Sequence, residues 1–416
     1  MLVVFGGCFP SASADGDSDP YELVVILEPV EPVWDGFFGG DIDFVGDLLV
    51  VGEWGAGRAH VYDRDGHLVK TLLSPGGEKK SHFGDSVSIL GDVIIVGEWN
   101  ATNRGVAGAG LIHFFDSNGN LIRSVGSPEP YVNARFGWAL DSDGARLAVS
   151  ETGEWIKDEN TTSKAWVLDR GGAFLGYIER PVLRTGSFGW SVAIRGDILA
   201  VGEPYAGYMG SGSYTHGYVH VWDLDGWGRI ASFGSPVREG FGNFGNSVSV
   251  GEDVIVVGEV RADANGTEMA GLAHLYGLDG VHTVTLYPKH PKRYGYFGLP
   301  VVVGGDYVAV GQAEYVYLYD HAGEYVATVS EEALAAADYG NDIAIDGDRL
   351  AVGAALAMVE GKQNAGAVYL YGARVEEPEV ERPLMIMGGV AMVVAVSAVL
   401  LVRWRGRREA RQPAPP

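Results

Sequence analysis

The chain has 416 residues, 54 acidic against 30 basic side chains, a formal charge of −24 and a single cysteine. That charge argues against a nucleic-acid partner and against a seat on anionic lipid. One cysteine, Cys8, excludes an intrachain disulfide, so the fold must stand on its core.

In chain order, residues 2–9 form a short apolar stretch and Ala12-Ser13-Ala14 precedes Asp15. Residues 1–14 therefore read as a signal peptide, although no basic segment leads it. Residues 22–27, ELVVIL, read as a lone strand outside any repeat. From Phe38 onward one sentence is written seven times, beginning at Phe38, Phe83, Phe136, Phe188, Phe244, Phe297 and Tyr339. The spacings are 45, 53, 52, 56, 53 and 42 residues. Each copy opens on an aromatic-Gly pair, alternates to a tight turn and rises into a β-branched run, as in FGDSVSILGDVIIVGE from Phe83. A variable loop, a third strand, an Asp-led turn such as Asp116-Ser117-Asn118-Gly119 and a fourth strand complete the unit.

A period of this size made of short strands predicts an all-β, seven-bladed β-propeller over residues 15–373, with four-stranded antiparallel blades. The seventh copy stops after its third strand. The N-terminal strand at 22–27 is expected to supply the missing one and close the ring, which removes the exposed sheet edges.

After the propeller, residues 374–383 read as an acidic juxtamembrane spacer. Residues 384–402 are 19 positions without a charge, enough at ~1.5 Å per residue to cross a bilayer as one transmembrane helix. Arg403, Arg405, Arg407, Arg408 and Arg411 come next, so 403–416 reads as a basic cytoplasmic tail with the propeller outside the cell.

The FG opening of six copies and the VGE closing of four, with Ser150-Glu151, Gly311-Gln312 and Gly353-Ala354 as variants in the others, resemble the FG-GAP repeat, the blade unit of integrin α-subunit propellers and of many prokaryotic surface proteins. The resemblance implies a cell-surface recognition or adhesion module with its ligand on the face carrying the loops after the second strands. It departs from the family where calcium-binding members insert an acidic loop between the first two strands. Here that place holds only a tight turn, such as Leu90-Gly91-Asp92, which cannot supply the five or more oxygens calcium needs. No metal and no cofactor are expected.

On that face Glu53, Glu98, Glu151, Glu203 and Glu259 end the second strand of five copies. They form either an anionic collar for a ligand or local acceptors for loop amides of their own blades. Their expected separation, ~11 Å on adjacent blades given strands ~4.8 Å apart, is too wide for one ion. Trp54 and Trp99 follow a glutamate directly, Tyr205 lies two residues after one, and Trp138 and Trp190 follow the FG pair. These rings are candidate ligand anchors, with inter-blade packing as the other reading. His60, His113, His220 and His274 alternate with aromatics at one third-strand position, which marks packing.

Three glycosylation sequons, at Asn100, Asn160 and Asn265, fall in loops after second strands. Arg195-Gly196-Asp197 aligns with the Gly-Asp turn of the other copies and reads as that turn. No nucleophile elbow, zinc motif or phosphate loop is present, so a non-enzymatic protein is expected, binding a protein or polysaccharide outside the cell. The alternative is an extracellular enzyme or cofactor-bearing propeller with its site at the axial mouth.

Overall fold

A computed structural model describes residues 20–77, 81–153, 163–181, 187–206, 217–237, 242–330 and 339–374. The expected signal peptide, the spacer beyond Arg374, the segment 384–402, the basic tail and Asn160 lie outside them. Among the described residues no helix is long and apolar enough to cross a membrane.

The described strands form seven four-stranded antiparallel sheets. Blade 2 is typical, with strands Phe83–Leu90, Val93–Glu98, Leu111–Asp116 and Leu121–Val125 in that order. The first strands of neighbouring blades touch all round, blade 7 against blade 1 included, so the ring is closed and these strands line its axis. Blade 7 takes Tyr339–Asp346, Arg349–Ala354 and Ala367–Ala373 from the last repeat and its outer strand, Tyr21–Leu27, from the N-terminus. The closing register runs from Tyr21 opposite Ala373 to Leu27 opposite Val368. The N-terminal strand thus closes the last blade, as its sequence suggests.

The core lies between blades. On the second strand of blade 1, Leu49 and Val51 pack towards blade 7 with Val368 and Leu370, while Val50 packs towards blade 2 with Ile94 and Val96. Alternate residues of one strand therefore feed two different cores, which is why these runs are apolar at every position.

The repeated glycines serve the same junctions. Gly84, of the FG pair, has φ +87°, and a Cβ there would overlap the carbonyl oxygen of Arg58 in blade 1. A Cβ on Gly52, of the VG pair of blade 1, would in turn overlap the carbonyl oxygen of Gly84. The two halves of the repeated sentence meet across each junction, and bulk is excluded from both.

Along the axis, first-strand side chains cap backbone amides of the next blade. Asp342 Oδ2 accepts from Ile42 N, Asp41 Oδ2 from Val87 N and Asp141 Oδ2 from Ile194 N, each at 2.6 Å. Asp43 Oδ2 accepts from Ile89 N at 2.7 Å. Between blades 5 and 6 the hydroxyls of Ser247 and Ser249 take Val301 N and Val303 N at 3.0 Å. On the opposite side from the second-strand loops, ion pairs lace the turns together. Arg64 pairs with Asp348, Arg349 with Asp65 at 3.1 Å and Arg170 with Asp92. Arg195-Gly196-Asp197 belongs to this lacing: Arg195 reaches Glu252 at 3.4 Å and Asp197 binds Arg146 at 3.0 Å.

Candidate functional site

The upper face is built on its glutamates. The FG aromatic pairs directly opposite the glutamate of the second strand, Phe83 against Glu98 and Phe38 against Glu53. Its ring packs on the third-strand imidazole, with centroids 5.6 Å apart for Phe83 and His113. That imidazole reaches the glutamate: His113 Nε2 lies 2.7 Å from Glu98 Oε2, His60 2.8 Å from Glu53, His220 3.0 Å from Glu203 and His274 2.9 Å from Glu259. Its other nitrogen meets a fourth-strand hydroxyl, Ser124 Oγ at 2.8 Å in blade 2 and Thr71 Oγ1 at 3.1 Å in blade 1. In blade 3, Trp166 Nε1 takes the histidine's part on Glu151 at 2.5 Å.

A further donor comes from the preceding connector. Ser74 Oγ at 2.6 Å and Ser81 Oγ donate to Glu98, Ser235 Oγ donates to Glu259 at 2.7 Å, and Arg180 pairs with Glu203. Glu98, Glu151, Glu203 and Glu259 thus tie their own second and third strands to the chain arriving from the blade before, Glu151 through Ser127 Oγ at 3.3 Å, whereas Glu53 has no such donor among the described residues. Burial would push the Glu98 carboxyl up, but hydrogen bonds from His113, Ser74 and Ser81 hold it below the usual carboxylate range. At Glu151 burial dominates over its Trp166 and Ser127 donors, and the carboxyl rises to about 7.

The glutamates are therefore no surface collar. All five are buried, Glu53 at 0 % exposure and Glu203, the most open, at 5 %. A carboxylate buried at a strand end needs such donors, because they offset the hydration it loses. The line of hydroxyl, imidazole and carboxylate is also the skeleton of nucleophilic catalysis. Its recurrence in four blades, with Thr71 and Thr285 as the hydroxyl in two, marks it here as blade architecture.

Above the glutamates the aromatic residues come together. Phe37 stacks on Trp54 at 4.5 Å with 2° between the planes, and Trp54 stacks on His82 at 5.0 Å and 13°. The series continues from His82 to Trp99 at 4.1 Å, to Trp138 at 5.3 Å, to Trp190 at 5.1 Å and to Tyr205 at 5.3 Å. Arg135 lies over both Trp99 and Trp138, 5.3 and 5.4 Å from their centroids. Trp99 Nε1 is anchored on Asp85. The result is one unbroken, half-buried arc of rings across blades 1 to 4.

Phe37, His82 and Arg135 escaped sequence reasoning, yet one signal could have found them: each immediately precedes the aromatic of an FG pair. All three are left-handed non-glycines, with φ of 54°, 62° and 56°, and Asn243 and Tyr296 repeat the feature at 54°. A left-handed backbone is costly for such residues, on the order of 1 kcal/mol each. The Ser-Pro and Arg-Pro pairs that end fourth strands were a second unread signal, since Ser74, Ser127, Arg180 and Ser235 supply the connector donors.

Residues 67–113 and 328–371 match the FG-GAP repeat family. The two matched stretches lie in blades on either side of the closing junction, within a ring whose seven units share one grammar. The protein is an FG-GAP β-propeller. The FG-GAP propeller also superposes on virginiamycin B lyase from Staphylococcus aureus, with a TM-score of 0.58 over 85 % of this chain and 100 % of the other, at 10 % identity. At that identity the likeness is one of fold alone. No curated protein matches the FG-GAP propeller in sequence.

Proposed function

We propose that this FG-GAP propeller is a membrane-anchored extracellular recognition module, and that it binds a protein partner through the aromatic arc. One observation carries the reading: the arc is confined to blades 1 to 4. Blades 5 to 7 put Asn246, Leu299 and Asn341 after the FG pair and Val260, Ala313 and Ala355 after the second strand. Those blades pack and close without the rings, so closure does not require them. Tryptophan, tyrosine and arginine are also the residues that dominate protein-binding energetics, more so when held rigid beforehand.

The ring geometry favours protein over glycan. A sugar stacks on an open aromatic face, whereas both faces of Trp54 are covered, by Phe37 and by His82. Around Trp54 the arc therefore offers ring edges, and further along it the Arg135 guanidinium lies over Trp99 and Trp138. The uncharged segment 384–402 with its arginine tail is the reason to place this face outside a membrane-tethered cell surface. Asn100 and Asn265, both in loops after second strands, would carry glycans in a host that attaches them.

A site at the axial mouth is the second reading, and the axial carboxylates give it substance. Burial raises Asp41 to about 7 and Asp141 to about 8, and strongly shifted acids often mark catalysis. The binding reading is preferred because each of these carboxylates already serves an inter-blade amide, a task Ser247 and Ser249 perform without charge. The deciding experiment probes arrays of extracellular proteins and of glycans with the purified chain. Replacing Trp99 and Tyr205 by Ala should weaken a protein hit by ~2 kcal/mol or more while the blades stay folded. Hits confined to glycans, or protein hits indifferent to both changes, would defeat the proposal.

A further inference from the structure

The loops after the second strands of blades 2, 5 and 7 share a fold, and one of them carries reactive chemistry. Each loop is a small hairpin whose two tip residues are both left-handed: Arg104-Gly105, Asn265-Gly266 and Glu360-Gly361. In blade 5, Thr267 N donates to Ala264 O at 2.8 Å and Ala264 N to Thr267 O at 3.1 Å. These two bonds make a two-residue turn whose geometry favours Asn-Gly. The returning arm then clasps the next blade, with Tyr294 N on Glu268 O at 3.2 Å, Tyr296 N on Met269 O at 3.4 Å and Phe297 N on Ala270 O at 2.8 Å.

We propose that Asn265 is a site of self-catalysed deamidation that loosens the junction between blades 5 and 6. The backbone nitrogen of Gly266 gives up its proton and attacks the Asn265 side-chain carbonyl carbon. A carbon–nitrogen bond forms, the side-chain nitrogen leaves as ammonia, and a five-membered imide results. Water then opens either imide carbonyl, leaving aspartate or isoaspartate, so the net change is one water consumed and one ammonia released, without redox.

Three features favour the reaction here. Asn265 and Gly266 are both exposed, and a Cβ at Gly266 would meet nothing within 4 Å, so neither partner is hindered. The turn bonds engage Ala264 and Thr267, leaving the Gly266 nitrogen outside them. The other two tips carry Arg104 and Glu360, which have no amide to lose.

The chain contains its own control. Asn118-Gly119 is the same dipeptide in an exposed turn, but Gly119 N donates to Asp116 O at 2.8 Å and Asn118 N to Asp116 Oδ1 at 3.0 Å. An attacking nitrogen must first leave that hydrogen bond. Isoaspartate at position 265 would add a backbone atom inside a two-residue turn, and the register that aims residues 268–270 at blade 6 could not survive it. A glycan on Asn265 would block the reaction, because it occupies the leaving nitrogen.

The test incubates the unglycosylated full chain at mildly alkaline pH and follows both sites by peptide mass mapping. In the folded chain Asn265 should convert roughly tenfold faster than Asn118, the factor set by freeing one hydrogen bond. In denaturant the two rates should approach each other. Aged protein should also exchange the amide hydrogens of Tyr296 and Phe297 faster than fresh protein, and an Asn265→Ser variant should show no such ageing. Equal rates in the folded chain, faster loss at Asn118, or ageing that persists in Asn265→Ser would overturn the proposal.

Discussion

Glu53 lacks a donor that its counterpart in blade 2 possesses, and the lack can be repaired. Ser81, two residues before the FG pair of blade 2, donates to Glu98. The same place in blade 1 is Gly36, and among the described residues Glu53 Oε1 is buried there without a hydrogen-bond partner. A Cβ on Gly36 would lie 3.0 Å from Glu53 Oε1, 3.1 Å from Val33 Cγ2 and 3.3 Å from Ala365 O, and the glycine is not left-handed. Gly36→Ser therefore brings a hydroxyl to the orphaned oxygen at the cost of crowding. A hydrogen bond to a buried charge is worth ~1.5–3 kcal/mol, lost unfolded-state freedom adds about 0.5 kcal/mol, and crowding subtracts ~1–2 kcal/mol. The expected net for serine is a gain of about 1 kcal/mol. Gly36→Ala brings the same Cβ and no donor, so it should fall about 2 kcal/mol below serine. Urea unfolding at unchanged slope reads both differences. Equal shifts for serine and alanine would show that Glu53 Oε1 needs no donor, and the role of the glutamate as a junction tie would fail with it.

The axis and the closing strand each give a further expected outcome. Burial holds the Asp141 carboxyl protonated up to about 8 in the folded protein, against 3.8 for the ordinary group, with the Ile194 amide pulling the other way. The unfolded chain therefore releases this proton first, and the group's contribution to stability falls as pH rises from 3.8 to about 8 and is flat above. Asp141→Asn keeps an oxygen for Ile194 N, so its advantage over the natural chain should grow across that window by roughly 2–5 kcal/mol. A difference independent of pH, measured by thermal melts at both ends, would refute this. Deleting residues 20–27 removes the outer strand of blade 7 and two buried anchors, Tyr21 and Leu27. The loss should reach ~4 kcal/mol or more, since each large buried side chain contributes ~2–5 kcal/mol. An unchanged denaturation midpoint would mean that the ring does not depend on its closing strand.

The architecture was legible because its signals are local and repeated. Turn glycines, β-branched runs and an incomplete last copy specify blade number, strand order and closure without any knowledge of neighbours. The glutamates were harder. Glu98 ends an apolar strand next to Trp99, and nothing local distinguishes a carboxylate facing solvent from one facing inward. Its fate is decided by Ser74 and Ser81, 24 and 17 residues away on the incoming connector, and by His113, 15 residues on. The tryptophans were visible as candidates, but not as one arc, since Trp99 and Trp138 meet only after the inter-blade turn is made. His82 and Arg135 stayed hidden for a different reason. Their place before the FG aromatic singles them out, but the positive φ that turns them into the arc leaves no compositional mark in a non-glycine.

The left-handed residues before the FG pairs link the two levels of the upper face. At Arg135 the chain bends so that Phe136 enters the core opposite Glu151, and the same bend sets the guanidinium against Trp99 and Trp138. At His82 it sends Phe83 inward opposite Glu98 and lays the imidazole between Trp54 and Trp99. In blade 2 the bend at His82 lies directly above Glu98, which Ser74 and Ser81 hold from the incoming connector, so a swing of this part of the arc would disturb a buried carboxylate. We infer that this part of the arc is held rigid. Rigidity lowers the entropy lost on meeting a partner, and it also means that substitutions beneath the arc, at Glu98 or Ser81, should weaken recognition without touching the ligand.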